Sequence, residues 1–163
     1  MNYLLSIVIT GIVATAVMDV WGIARKPLLN IAPPDYRLVG RWLGHMRHGQ
    51  FRHQAIAGSP AVKGEMQIGW IVHYLIGIIF AAALIGGWGL EWVERPTLGP
   101  ALIVGIATVA APFLLMQPGM GAGTFASKTP RPNATRIQSL ITHTMFGLGL
   151  YVGGWLTHMV YSL

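Results

Sequence analysis

The stretch Tyr3 to Ala24, YLLSIVITGIVATAVMDVWGIA, decides what kind of protein this is. A helix needs roughly 20 apolar residues to cross a bilayer. This run supplies them with a single carboxylate, Asp19, set among them. Ionisable groups in hydrocarbon are expensive, so they face a bundle interior and usually serve a function. His73 and His143 stand in the same way inside two later apolar runs, Met66 to Trp88 and Ile137 to Tyr161. With Leu98 to Pro118 there are four runs of spanning length. They predict an all-α integral membrane bundle of four transmembrane helices, at about 3–25, 66–88, 98–118 and 136–161.

Composition points the same way. Of 163 residues, 53% are apolar and 10% charged, and the mean hydropathy of +0.56 lies well above that of a soluble domain. The chain reads as a single membrane domain, 1–163. No Lys or Arg precedes the first run, which therefore reads as a retained helix rather than a cleaved signal. The absence of cysteine excludes disulfides, thiolate metal sites and a cysteine nucleophile.

Basic residues set the expected orientation. Arg25, Lys26, Arg37, Arg41, Arg47, Arg52 and Lys63 lie around the first connection, and Lys128, Arg131 and Arg136 around the third, whereas the second offers only Arg95. The positive-inside rule makes loops 26–65 and 119–135 cytoplasmic and turns both termini outward. The net charge of +6 then suits anionic lipid headgroups rather than nucleic acid, because the cations flank membrane spans.

The helices repeat in pairs. His73 is followed four residues later by Gly77, as His143 is by Gly147, and Gly11 with Thr15 matches Gly105 with Thr108. Two similar helical hairpins are the economical reading. At about 1.5 Å per residue, Asp19, His73 and His143 occupy one layer in the cytoplasmic leaflet, where Pro112 predicts a kink in the third helix. Gly69, His73, Gly77 and Ala81 form one stripe, and Ser139, His143, Gly147 and Tyr151 another. Both histidines therefore lie on faces that let helices approach closely.

The chemistry of that layer admits several roles. A carboxylate near imidazoles suits the binding or movement of protons or a small solute, since histidine titrates near neutral pH. Two histidines on facing helices suit haem, or with Asp19 a divalent metal, so His73 and His143 are the candidate metal ligands of a redox protein or enzyme. No cofactor is required, and whether the protein is an enzyme stays open. A third role is that of a structural or accessory subunit whose glycine stripes meet a partner. Four short helices make thin walls, which favours a homo-oligomer or a membrane partner protein.

The loops add candidates. Asp35 caps a short amphipathic helix over Tyr36 to His48, expected on the membrane surface with Trp42 as an interfacial anchor and the arginines at lipid phosphates. Glu65, Arg41 and Lys128 are the expected entrance and anion-binding groups. His45, His48 and His53 are close in sequence, yet their spacing matches no tight zinc pattern. The glycine-rich run Gly119 to Gly123 is neither a P-loop nor a dinucleotide fingerprint.

Taken together, Ala14-Thr15, Met18-Asp19, Gly40-Arg41-Trp42, Glu65, Gly69-Trp70-Ile-Val-His73-Tyr74 with Gly77, Lys128-Thr129-Pro130, and His143 with Phe146-Gly147-Leu-Gly149-Leu-Tyr151 resemble the small bacterial membrane proteins grouped as domain of unknown function 2938. The resemblance covers nearly the whole chain. It implies a four-helix protein of the bacterial inner membrane and carries no activity with it.

Overall fold

In hydrocarbon a backbone must satisfy its own hydrogen bonds, which favours helices. This computed structural model describes residues 2–162, and among them there are helices and turns but no strand. The helices are α1 (Tyr3–Leu29), α2 (Tyr36–Met46), α3 (Glu65–Trp88), α4 (Leu90–Glu94), α5 (Leu98–Ala107), α6 (Gln117–Met120) and α7 (Pro132–Ser162).

Among the described residues three segments, not the expected four, are long and apolar enough to cross a membrane: Tyr3–Leu29, Glu65–Trp88 and Leu98–Met120. The fourth expected span lies in α7. That helix is the longest, at 31 residues, but Gln138, Ser139, Thr142, His143 and Thr144 dilute its apolar character. It buries Phe146, Leu150 and Thr157 along with several glycines. A helix face covered by protein has no need of the apolar surface that lipid demands.

Two further boundaries differ from expectation. α1 runs through Pro27 to Leu29 rather than stopping at 25. Pro27 has no N–H to give to the ladder, and the helix closes within a turn of it. Asn30, at φ 55°, then closes the helix: its N–H bonds to the Lys26 carbonyl at 3.0 Å, and that of Ile31 to Arg25 at 3.3 Å. The expected helix 98–118 is interrupted. Regular α-helix ends at Ala107, and Pro112–Met116 forms a π turn in which the Gln117 N–H reaches back to the Pro112 carbonyl. Pro112 brings no N–H of its own, and the ladder changes register where that donor is missing.

The chain divides into two compact units. The first comprises Met1–Pro33, Tyr74–Thr108 and Ile141–Leu163. Leu84, Ile85, Trp92, Val93, Phe146 and Leu150 form its core, packed around Ala14, Ala81 and Ala101. Its helices touch through glycine. A Cβ at Gly11 would lie 2.5 Å from Ile78 Cα, one at Gly149 2.7 Å from Ala14 Cα, and one at Gly153 2.8 Å from the Thr10 carbonyl. Gly77 packs against the Thr15 hydroxyl, and Gly105 backbone-to-backbone against Gly147. The paired pattern read in the sequence recurs here as one device: Thr15 donates to the Gly11 carbonyl at 2.8 Å, and Thr108 to that of Gly105 at 2.6 Å.

The second unit comprises Pro34–His73 and Val109–Leu140. α2 forms where expected, with the Asp35 carboxylate accepting the Arg37 N–H at 3.1 Å. The neighbouring Arg37 guanidinium, hydrogen-bonded to the same carboxylate, holds Asp35 below the usual carboxylate range. α2 lies directly on the start of α3: a side chain at Gly40 would strike the Glu65 carbonyl, and one at Gly69 the Tyr36 carbonyl. Trp42, expected as a lipid anchor, covers Gly119 and donates its indole N–H to the Phe51 carbonyl at 2.9 Å.

A Gly105→Val substitution must push the α5 and α7 backbones apart. It is expected to cost about 1–3 kcal/mol and to lower the unfolding midpoint in detergent by about 2–4 °C for each of them. Gly86→Ala, where the added carbon meets nothing within 4 Å, should leave the midpoint unchanged or raise it.

Candidate functional site

The three ionisable groups singled out from the sequence are each joined to a hydroxyl. In the first unit Asp19 of α1 is hydrogen-bonded by the Tyr74 hydroxyl of α3. A phenol is a strong donor to a carboxylate and compensates part of the loss of water around it. The glycines that draw α1 and α3 together, Gly11 and Gly77, lie within three turns of this pair.

His143 is buried in α7, and its Nδ1 lies 2.9 Å from the Thr108 Oγ of α5. The threonine hydroxyl has one hydrogen, and it points to the Gly105 carbonyl at 2.6 Å. The imidazole must therefore donate from Nδ1.

The second unit holds His73. Its Nε2 is 2.9 Å from the Tyr36 hydroxyl, and the two rings stack with centroids 4.2 Å apart. Trp70 closes the cluster, its ring 4.5 Å from that of Tyr36. Tyr36 is the first residue of α2, and the Gly69 contact with its carbonyl seats it beside α3. Neither Tyr36 nor Tyr74 stood out in the sequence as a site residue. The available signal for Tyr36 was a capped helix start one turn before Gly40, a glycine suited to close packing; for Tyr74 it was adjacency to His73.

The donor sets bear on the cofactor readings. Among the described residues no three His, Asp or Glu side chains are grouped so as to hold a metal ion. A haem iron bound through His73 Nε2 would have to displace the Tyr36 hydroxyl.

Arg41 and Glu65 come together, as a mutual clasp. The guanidinium donates from Nε and Nη2 to the two carboxylate oxygens, both at 2.9 Å, with each side chain 13% exposed. Its Nη1 reaches the carbonyls of Ala57 and Ser59, both at 3.1 Å. Glu65 also accepts the Val62 N–H at 3.0 Å. One arginine thus ties α2, the connection at 56–59 and the start of α3. Lys128 is exposed, after a turn in which Phe125 and Ala126 hold positive φ of 52° and 57°.

Arg41→Met removes both the ion pair and the ties to the connection, whereas Glu65→Gln leaves the latter in place. Arg41→Met is therefore expected to lower the unfolding midpoint in detergent further than Glu65→Gln does. Equal losses would show that the ion pair alone counts.

No curated protein and no solved structure matches the chain. A family model described as "Protein of unknown function (DUF2938)" matches residues 8–157. With nearly the whole length covered, the chain belongs to the DUF2938 family.

Proposed function

We propose that this protein resides in the bacterial inner membrane with its termini in the periplasm, and that it moves protons, or a small solute together with protons, by means of Asp19, His73 and His143. The observation that carries this reading is that each of the three is hydrogen-bonded to a hydroxyl. A hydroxyl donates and accepts at once, so it can keep its bond while the partner changes protonation state. Tyr74 donates to the Asp19 carboxylate; once a proton arrives, the carboxylic acid becomes the donor and the phenol oxygen the acceptor. His73 and Tyr74 are consecutive in α3, which sets two proton-exchanging pairs on neighbouring residues of one helix.

The surroundings support a lipid setting. Val20, Ile23, Ile71, Ile103 and Leu115 are all at least 60% exposed, an arrangement that would be costly in water. These faces would meet acyl chains or further copies of the chain. The basic residues of the two connections, Lys128 among them, would meet anionic headgroups on the cytoplasmic side. Arg41 and Glu65 would hold α2 to the start of α3.

The test is proton flux into proteoliposomes that enclose a pH-sensitive dye, under an imposed gradient. Asp19→Asn is expected to abolish the flux, and Tyr74→Phe to reduce it, with both variants keeping wild-type helicity and elution volume. Wild-type flux from Asp19→Asn would overturn the proposal.

A further inference from the structure

His45 and His53 meet in the second unit, at the end of α2 away from Tyr36. Nδ1 of His45 and Nε2 of His53 are 2.8 Å apart. The outer nitrogens are also engaged: His45 Nε2 lies 3.0 Å from the Pro60 carbonyl, and His53 Nδ1 lies 3.4 Å from that of Gly119. The Gly119 carbonyl further accepts the backbone N–H of His53 at 2.9 Å.

A carbonyl oxygen only accepts, so each outer nitrogen must carry a hydrogen. A neutral imidazole has one hydrogen on nitrogen. Two neutral rings bound in this way would face each other with bare lone pairs at 2.8 Å. That distance is the length of an N–H···N hydrogen bond, and one additional proton completes it. A metal held by two imidazoles at tetrahedral geometry would keep the nitrogens about 3.3 Å apart, and no third donor joins them among the described residues.

We propose that His45 and His53 share one proton and act as a pH-sensitive clasp that seats α2 against Gly119. The protonated pair makes all three hydrogen bonds, and the neutral pair must surrender one. The longest, from His53 Nδ1 to Gly119, is the first to go. Acid therefore tightens the seat of α2 and neutral to alkaline conditions loosen it. Trp42 rests on the same glycine, and α2 carries Tyr36, the partner of His73.

The charged and titratable groups on the elements that meet here are Asp35, Tyr36 and Arg37 at the start of α2, Arg41, Arg47 and His48 along and just after it, Arg52 and Lys63 in the connection, Glu65 at the start of α3, and Lys128 beyond α6. Glu65 is taken by Arg41, and among the described residues no carboxylate hydrogen-bonds either imidazole. The ring lone pairs themselves hold the proton. This clasp does not depend on proton movement through the membrane.

The experiment uses the full chain in detergent micelles with 15N-labelled histidine. At acidic pH, a nitrogen–nitrogen coupling across the hydrogen bond from His45 Nδ1 to His53 Nε2 is expected. In parallel, amide hydrogen exchange at His53, corrected for the intrinsic rate, should lose roughly tenfold in protection between about pH 5 and about pH 8. His45→Gln and His53→Gln, whose amides hydrogen-bond without titrating, should remove that pH dependence. Absence of the coupling in the wild type would overturn the proposal whether or not the variants fold. So would an unchanged pH dependence in both variants, or a protection that appears only with added Zn2+ and vanishes with a chelator.

Discussion

Backbone contact at glycine is the constraint on which the other interactions of this protein depend. Helices that meet in lipid have no hydrophobic force between them, so in the membrane setting proposed here their association would rely on close packing and on polar bonds across the contact. Gly105 against Gly147, Gly149 against Ala14 and Gly153 against Thr10 let the helix axes approach until side chains as short as threonine reach across. The buried Thr10 and Thr157 hydroxyls, 3.2 Å apart, and the Thr108–His143 pair at 2.9 Å are products of that approach. A single added methyl group at such a glycine would separate the backbones by more than a hydrogen bond tolerates.

The second unit uses the same rule with different polar partners. Gly40 and Gly69 bring α2 onto α3. That contact seats Tyr36 over His73 at one end of α2 and leaves Arg41 and Glu65 facing each other in the middle. Arg41 distributes its donors over a carboxylate and two well-placed carbonyls, which suits a planar guanidinium and would not suit lysine. A group bound so fully on all sides is an anchor, and this is why the arginine expected to meet lipid phosphates turns inward.

Hydroxyls recur as the partners of the ionisable groups: a phenol at Asp19, another at His73 and a threonine at His143. Paired with a fixed opposite charge, a carboxylate or imidazole in a low-dielectric site is held in one protonation state. A hydroxyl accompanies either state, because it can turn from donor to acceptor. The proposal of proton movement draws on this difference.

The sequence alone determined the helical class, the cost of Asp19, His73 and His143 in apolar surroundings, the α2 start at Asp35, the break near Pro112, and the family. These are local matters of hydropathy, capping and missing N–H groups, or of a motif spread along the chain. Only the tertiary structure decided which face of α7 is buried, that Trp42 packs on Gly119, and that Arg41 is committed to Glu65. It also supplied Tyr36, Tyr74 and Thr108 as partners, and it joined His45 to His53. Each of these depends on which residues meet across a contact between distant parts of the chain. Periodicity along one helix reports which face is small or apolar; it carries no information about what stands on the opposing face.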